Sequence, residues 1–310
     1  MTLANVHAPE GRLQRLARWI GEWGRFAQLS FIPKNEIAAA LYDNVYGTSN
    51  VLSEKLLYLN LGFWRDNPST IDEASAALAR LLAVEAGFCS EDVVIDVGCG
   101  YGDPDFLWHE EFGLNQIIGV NVAEGQIQVA NARAAQFGAA DRIRYLRGSA
   151  CELPIQNDSA TKVVALESAF HFPSRAKFFS EAYRVLRPGG RLAIADIVPL
   201  PDEDIRPTIR RIRPWGAYAR GLYTIDSELQ IDVTSYPDAL TRSGFISPKV
   251  FSIRSDVYSP VANYLRTGFA KPEMKRINPA GRLFFGPLGI ATWGPWMDYV
   301  IAIANKPTNC

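Results

Sequence analysis

The chain has 310 residues, of which 48% are hydrophobic and 21% charged, and its formal net charge at pH 7 is −1. That length and apolar content can bury a full core, so we expect one large domain or one domain with added caps. The near-zero charge and the lack of a Lys/Arg block predict no nucleic-acid partner. We see no signal peptide and no apolar run of about 20 residues, which predicts a cytoplasmic protein without an integral membrane segment.

The cysteines Cys89, Cys99, Cys151 and Cys310 lie far apart and form no C-x-x-C pair. This spacing argues against a zinc site and against a disulfide framework. We therefore predict no bound metal and a reducing environment.

Residues 1–86 are predicted to form an N-terminal helical cap. Apolar residues at helical spacing between 13 and 27, with arginines among them, predict a basic amphipathic helix. Such a helix can pack on its own protein or on a second copy, giving a homodimer, or lie on a membrane surface. The absence of a lipidation signal favours the packed alternative. A second amphipathic helix is predicted over 69–87, with a serine or threonine cap at its start and Gly87 at its end.

Residues 93–102 read Val-Val-Ile-Asp-Val-Gly-Cys-Gly-Tyr-Gly, which predicts a buried strand over Val93–Val97 followed by a glycine-rich turn. Glycine allows a tight turn and lets a ligand approach where a Cβ atom would clash. A nicotinamide-binding loop has the spacing G-x-G-x-x-G, which would need glycine where the chain has Asp103. The acid Asp96 before G-x-G-x-G instead indicates a ligand with a cationic amino-acid end and no pyrophosphate.

Strands and helices alternate with short connections after this turn. Further strands are predicted over 116–122, 143–146, 162–166, 191–198, 249–254 and 297–304, with helices over 123–137 and 236–243 and a turn over 187–190. This pattern predicts an α/β fold with a doubly wound, mostly parallel seven-stranded sheet.

Residues 87–200 are expected to form the ligand-binding core, and residues 201–310 the rest of the sheet. Two insertions in the second part, 201–236 and 259–295, follow strands five and six. Because ligands bind at the carboxyl ends of parallel strands, both insertions are expected to act as lids. The first insertion is rich in arginine and aromatic residues. These can hold an acidic or planar acceptor, or they can be solvated arginines over a packed lid.

The glycine-rich turn resembles motif I of the class I S-adenosylmethionine (SAM)-dependent methyltransferases. Residues 148–154 are similar to the family's "GDA…LP" segment beside the adenine, with Ser149 in place of the usual Asp. Residues 58–64, 166–171 and 194–200 resemble small-molecule O-methyltransferases of antibiotic biosynthesis, of the macrolide-sugar (erythromycin) type. The resemblance implies a Rossmann-like fold that binds SAM. Tocopherol, sterol and cyclopropane-forming methyltransferases share similar core motifs, so the cofactor is better defined than the acceptor.

The resemblance also implies which residues hold the cofactor. The glycine loop would pass under the methionine part, Asn121 would contact the ribose, and Val122 would pack on the adenine. Asn121 stands where an acid is expected, so it can bond a ribose hydroxyl but lacks the charge. The complete predicted set is Asp96, Gly98, Cys99, Gly100, Gly102, Asn121, Val122, Gln126, Ser149, Ala150 and Glu167.

His171 and Asp196 are the candidate catalytic residues. A hydroxyl acceptor needs a base for its proton, and histidine accepts protons near neutral pH. His171 follows strand four, and Asp196 in strand five could orient it or act as the base itself. The structural alternatives are a hydrogen-bonded histidine and a capping aspartate. Some relatives carry histidine one position earlier, where this chain has Phe170, and Glu167 is expected to bind backbone or cofactor.

The sequence thus predicts a SAM-dependent methyltransferase of secondary metabolism that methylates a hydroxyl of a bulky, partly apolar small molecule. One alternative is methyl transfer to carbon on a terpenoid- or tocopherol-like acceptor. A second alternative is a SAM-binding subunit without catalysis, and a nicotinamide oxidoreductase is disfavoured by Asp103.

Overall fold

The described residues, 10–28, 47–201 and 231–308 of a computed structural model, are organised around a seven-stranded sheet. Residues 202–230 of the predicted lid segment 201–236 lie outside these ranges. The strands are β1 (Val93–Val97), β2 (Gln116–Asn121), β3 (Ile143–Arg147), β4 (Ala160–Leu166), β5 (Leu186–Pro199), β6 (Ile246–Ser252) and β7 (Met297–Asn305).

The strand order is β3-β2-β1-β4-β5-β7-β6. Neighbouring strands from β3 to β5 are parallel, and β7 runs antiparallel between β5 and β6. This arrangement confirms the predicted doubly wound, mostly parallel sheet. The chain moves outward from β1 first to one side and then to the other, so ligands are expected beside the carboxyl end of β1.

Two strands, β5 and β6, begin three or more residues before their predicted starts, and every other strand boundary lies within two residues of its prediction. β5 begins at Leu186, and the predicted turn over 187–190 is a bulge within it, where the pairing shifts between Ala160 and Lys162 of β4. β6 begins at Ile246 and ends at Ser252 because residues 254–256 form a 3₁₀ turn. Both differences concern strand ends, where hydrogen bonds to a distant neighbour decide the boundary.

Helices cover both faces of the sheet. They are α1 (Arg12–Gln28), α2 (Ile71–Ala86), α3 (Asp103–Phe112), α4 (Glu124–Gln136), α5 (Arg175–Val185), α6 (Tyr236–Arg242), α7 (Tyr258–Gly268), α8 (Pro279–Phe285) and α9 (Pro287–Trp293). Side chains alternate along each strand, so Val94 packs in the core with α2, whereas Ile95 and Val97 pack in the core with α5 and α6. No helix in the described ranges is long and apolar enough to cross a bilayer.

Local capping explains the bounds of α2. The Thr70 hydroxyl accepts a hydrogen bond from the Glu73 amide at 3.1 Å, and the Glu73 carboxylate accepts one from the Ser69 amide at 2.7 Å. Gly87 ends the helix in the left-handed conformation. These are the capping positions that the sequence predicted.

The N-terminal region differs from the expected helical cap. Residues 51–70 between α1 and α2 form an irregular, largely buried segment rather than a helix. Its backbone bonds to other elements, with the Phe63 amide donating to the Ala74 carbonyl at 2.8 Å and the Trp64 amide to the Asp256 carbonyl at 2.9 Å. These bonds satisfy backbone groups that a helix would have paired internally.

The second predicted lid, 259–295, contains α7 to α9 and packs against this irregular segment. Lys271 forms an ion pair with Glu54 at 2.7 Å, and the Arg276 guanidinium donates to the Val51 carbonyl at 2.8 Å. These contacts attach the insertion to the N-terminal region that precedes α2.

A buried ion pair joins β5 to α5 and α6. Arg175 Nε lies 2.8 Å from Asp196 Oδ2, and the side chains of both residues have no exposed surface. The Tyr236 hydroxyl donates to Asp196 at 3.0 Å, and Arg175 also donates to the Ile197 carbonyl at 3.0 Å. Removing one partner would leave a buried charge uncompensated.

We expect Arg175→Met to lower the free energy of unfolding by about 3–5 kcal/mol, because Asp196 would remain charged and buried. The matched control is Arg80→Met, which breaks the exposed Arg80–Glu111 pair and should cost about 1 kcal/mol or less. Urea unfolding followed by circular dichroism measures both values. Equal losses in the two variants would contradict the structural role of the buried pair.

Candidate active site

A cavity of about 660 Å³ opens at the carboxyl ends of β1, β2 and β4. This volume is typical of a small-molecule site. Its lining includes nine residues of the predicted site: Gly98, Gly100, Asn121, Val122, Gln126, Ser149, Ala150, Glu167 and His171. The remaining lining residues are Leu59, Val97, Val120, Arg147, Gly148, Leu166, Ser168, Phe172 and Pro173.

The turn after β1 passes close to the turn after β4. Gly98 has a φ of 84°, and a Cβ atom there would lie 2.3 Å from the Ser168 Cβ. The Ser168 hydroxyl donates to the Val97 carbonyl at 2.7 Å and fastens the two turns together. Only glycine fits this crossing, which brings the glycine loop and the residues after β4 into one cavity.

The next two glycines have different neighbours. Gly100 has a φ of 56° and lines the cavity, and a Cβ atom there would meet the end of the Leu59 side chain at 2.8 Å. Gly102 is absent from the cavity lining and caps α3, where a Cβ atom would meet the Tyr145 hydroxyl oxygen at 2.1 Å. Gly102 thus serves close packing rather than the ligand contact expected from the motif.

Asn121 and Gln126 form a polar pair on the β2 side of the cavity. Asn121 Nδ2 donates to Gln126 Oε1 at 2.6 Å, and Asn121 Oδ1 accepts from the Val122 amide at 2.8 Å. Gln126 Nε2 is buried without a hydrogen-bond partner among the described residues. A buried donor without a partner is costly, and a ribose oxygen in the cavity would satisfy it. The pair therefore fits the ribose of SAM.

Ser149 and Ala150 lie beside Val122 at the β3 end of the cavity. The Ser149 hydroxyl accepts from the Cys151 amide at 3.1 Å, and Ala150 is buried. Small side chains at these positions leave room for a planar base such as adenine.

Asp96 and Cys99 are absent from the large cavity. They line a separate crevice of about 30 Å³ beneath the glycine loop, together with Asn60. Asp96 and Asp105 are fully buried, and none of their carboxylate oxygens has a hydrogen-bond partner among the described residues. Burial raises the pKa of Asp96 to about 7. Burial and the Asp96 charge raise the pKa of Asp105 well above its usual range.

Glu167 is the carboxylate of the large cavity. It adopts a φ of 52°, a strained conformation for a residue other than glycine. Glu167 Oε2 accepts a hydrogen bond from the Tyr299 hydroxyl at 2.6 Å and one from the Leu61 amide at 2.9 Å. Burial raises the pKa of Glu167 to about 7, so the group titrates near physiological pH. The sequence did not indicate Tyr299, which lies 132 positions away.

His171 ends a 3₁₀ turn after β4, and its ring centroid lies 3.9 Å from that of Phe170. Burial and the nearby Arg175 charge lower the pKa of His171 to about 3. The imidazole is therefore neutral at physiological pH.

Asp196 is absent from the cavity lining, in contrast to the expectation that it serves as a base or orients His171. Both of its oxygens accept hydrogen bonds, from Arg175, Tyr236 and the Ile197 amide. Arg175 carried no signal in the sequence because its partner is 21 positions away in another element.

Comparisons with known proteins agree with this geometry. The methyltransferase domain family matches residues 95–194. The chain is 34% identical over 262 residues to erythromycin 3''-O-methyltransferase of Saccharopolyspora erythraea, covering 81% of this chain and 84% of that enzyme.

Two solved structures share the fold. The cyclase SpnF superposes with a TM-score of 0.65 at 21% identity, covering 89% of this chain and 98% of that one. Geranyl diphosphate C-methyltransferase from Streptomyces coelicolor A3(2) gives a TM-score of 0.64 at 17% identity, with the same coverages of 89% and 98%. Fold and sequence together define a SAM-dependent methyltransferase. The chain belongs to the class I family, as its motifs predicted.

Gly100→Ala should weaken SAM binding about tenfold or more, because the added Cβ displaces Leu59 and narrows the cavity. Gly113→Ala is the matched control. Gly113 also has a positive φ, of 63°, but a Cβ atom there meets nothing within 4 Å, and the residue lies outside the cavity lining. Isothermal titration calorimetry with SAM measures both variants. Equal affinity in Gly100→Ala and wild type would contradict the placement of SAM on this loop.

Asp105→Asn should stabilise the ligand-free protein at pH 8. The folded-state pKa values of Asp96 and Asp105 lie above the unfolded value, so the wild type loses stability as pH rises from about 4 towards 7 and beyond. Removing one carboxyl should make stability depend less on pH. The control Asp141→Asn, at a side chain that is 77% exposed, should leave the pH dependence of stability unchanged. Thermal unfolding across this pH range tests the idea, and an unaltered slope in Asp105→Asn would refute it.

Proposed function

We propose that this methyltransferase transfers the SAM methyl group to a hydroxyl of a bulky, partly apolar natural product. The observation that carries the proposal is one continuous cavity with two chemically different walls. One wall offers the glycine loop and the Asn121–Gln126 pair, and the other offers Glu167 and His171. The similarity to an O-methyltransferase that acts on erythromycin supports the acceptor class.

The residues that line the cavity suit an in-line transfer of the methyl group from sulfur to the acceptor. When bound, SAM supplies an electrophilic methyl group on a positively charged sulfur. Leu59, Leu166, Phe172 and Pro173 line the same cavity and exclude water, which would compete as a nucleophile and solvate the charge. The rate gain comes mainly from holding acceptor and methyl group in line at short distance.

The hydroxyl proton requires an acceptor, and we assign this role to His171. The neutral imidazole lies in the cavity lining and accepts the proton as the oxygen attacks the methyl carbon. Its pKa of about 3 makes it a weak base in the ligand-free protein. Glu167, whose pKa of about 7 is better matched to physiological pH, is the competing acceptor.

Methyl transfer to carbon is the second candidate function. A carboxylate beside the cavity could stabilise a carbocation, and Glu167 occupies that position. Incubation with labelled SAM and either a macrolide glycoside or geranyl diphosphate, followed by mass spectrometry and NMR of the product, distinguishes an O-methyl from a C-methyl group. Absence of turnover with acceptors of both classes, despite SAM binding, would favour a SAM-binding subunit without catalysis.

The pH dependence of kcat/KM separates the two proton acceptors. If His171 is the base, the rate stays level down to about pH 4, and His171→Ala lowers turnover about 10²–10⁴-fold while SAM affinity is retained. His109→Ala is the matched control, because His109 lies outside the cavity lining, and it should keep turnover.

An acid limb near pH 7 that disappears in Glu167→Gln would instead assign the base to Glu167. Full turnover of His171→Ala on an aliphatic hydroxyl would exclude His171 as the base.

A further inference from the structure

Three separate elements hold Glu167 in place. Its amide donates to the Ala195 carbonyl of β5 at 2.8 Å. The Leu61 amide, from the irregular N-terminal segment, donates to Glu167 Oε2 at 2.9 Å, and the Tyr299 hydroxyl of β7 donates to the same oxygen at 2.6 Å. Short hydrogen bonds to a carboxylate are among the stronger ones in proteins. Together these bonds hold Glu167 at its strained φ of 52°.

The second carboxylate oxygen of Glu167 is left for the cavity. Both side-chain hydrogen bonds use Oε2, and Oε1 retains exposed surface without a hydrogen-bond partner in the described part of the chain. Glu167 itself lines the large cavity. Because a carboxylate accepts bonds at both oxygens, Oε1 can interact with a ligand while Oε2 stays fixed.

Glu167 also dominates the charge of the cavity. It is the only acid among the described lining residues. The other ionisable side chains of the lining are His171 and Arg147. His171 is neutral at physiological pH because its pKa is lowered to about 3, and the Arg147 side chain is 68% exposed to solvent. A cation inside the cavity therefore meets one buried carboxyl as its charged neighbour.

The position of Glu167 beside the glycine loop brings this carboxyl close to the cofactor. The next residue, Ser168, packs so closely on Gly98 that no Cβ atom fits there. The sulfur of SAM joins the methionine part, expected on this loop, to the ribose, expected at the Asn121–Gln126 pair. Electrostatic attraction acts over several ångströms where water is excluded, so the sulfur lies within the influence of Glu167.

We propose that Tyr299 is a positioning residue, which holds Glu167 so that Oε1 faces the positively charged sulfur of SAM. Glu167 is the group that meets the cofactor, and Tyr299 acts through it. The site then distinguishes SAM from S-adenosylhomocysteine, which has the same methionine and adenosine parts but a neutral sulfur. This role goes beyond the proposed methyl transfer, because it concerns the charge of the cofactor and not the acceptor.

Isothermal titration calorimetry with SAM and with S-adenosylhomocysteine tests the proposal through the ratio of the two affinities. Glu167→Gln should lower the preference for SAM about tenfold, because it removes the carboxylate charge. Tyr299→Phe should lower it about threefold or more and leave the affinity for S-adenosylhomocysteine unchanged, since it removes one donor to the carboxylate. The double variant should match Glu167→Gln alone, because Tyr299 acts through Glu167.

Tyr258→Phe is the matched control for Tyr299→Phe. Tyr258 is also a buried tyrosine, and its ring centroid lies 6.1 Å from that of Tyr299. Its hydroxyl donates to the Asp298 carbonyl at 3.1 Å and not to Glu167. Removal of this hydroxyl should therefore leave the preference for SAM at the wild-type value.

The preference for SAM should also depend on pH. Burial raises the pKa of Glu167 to about 7 in the ligand-free protein. Below that pH SAM has to displace a proton from Glu167, so its preference over S-adenosylhomocysteine should decrease as pH falls from about 8 to about 6. Tyr299→Phe removes a donor that favours the ionised form and should move this decrease to higher pH. A loss of packing alone would not produce that shift.

Other ionisable groups near Glu167 do not account for such a change. Tyr258 on α7 stays neutral because burial raises its pKa well above the ordinary value, and Asp196 on β5 is held in the buried ion pair with α5. His171, with a pKa of about 3, is neutral throughout this range. Asp96 has a pKa of about 7, but SAM and S-adenosylhomocysteine carry the same amino-acid end, so its effect cancels in the ratio.

Thermal unfolding midpoints equal to wild type show that the variants are folded. If Tyr299→Phe fails this check, Glu167→Asp replaces it, because the shorter side chain keeps the charge but withdraws it from Tyr299, and the preference for SAM should again fall. An unchanged preference in Glu167→Gln, equal losses of both affinities in Tyr299→Phe, or additive losses in the double variant would overturn the proposal. Both ligands bind without turnover, so the result is independent of the methyl acceptor.

Discussion

The close crossing of Gly98 and Ser168 is the constraint on which the site depends. The turn after β1 carries Gly98 and Gly100, which line the cavity, and the turn after β4 carries Glu167 and His171. The two turns lie so close together that no Cβ atom fits at position 98, and the Ser168–Val97 hydrogen bond links them. Both turns therefore line the same cavity. A larger side chain at position 98 would move these walls apart. Near-attack geometry tolerates only small displacements.

Hydrogen bonds to the Glu167 carboxylate link the cavity to two elements that are distant in the chain. Its carboxylate is held by the Leu61 amide from the irregular N-terminal segment and by the Tyr299 hydroxyl from β7. Both bonds favour the ionised form, while burial favours the protonated form, and burial dominates. The charge of the cavity thus depends on residues far away in sequence. The 259–295 insertion contacts this irregular segment through the Lys271–Glu54 ion pair and contributes no described residue to the cavity lining.

The sequence predicted those features of the fold that depend on residues close together in the chain. The apolar run of Val93–Val97 and the glycines after it depend on neighbouring residues, and the strand, turn and helix followed as expected. The Arg175–Asp196 pair was not predictable, because its partners lie on separate elements and no periodicity links them. His171 was predicted in the cavity lining, but its pKa depends on burial and on Arg175, which only the fold supplies. The irregular path of residues 51–70 depends on tertiary hydrogen bonds and was therefore missed.

Two buried carboxyls near the site have raised pKa values. Burial raises the pKa of the Asp96 and Glu167 carboxyls to about 7, but only Glu167 lines the large cavity, whereas Asp96 lies in the small crevice at the glycine loop. A cationic ligand in the large cavity would favour the ionised form of Glu167, because opposite charges attract strongly where water is excluded. When the sulfonium loses its charge on methyl transfer, that stabilisation is reduced. Glu167 would therefore bind the charged cofactor more tightly than the sulfide product, and because the positive charge is already dispersing in the transition state, this preference would oppose product inhibition without accelerating the transfer.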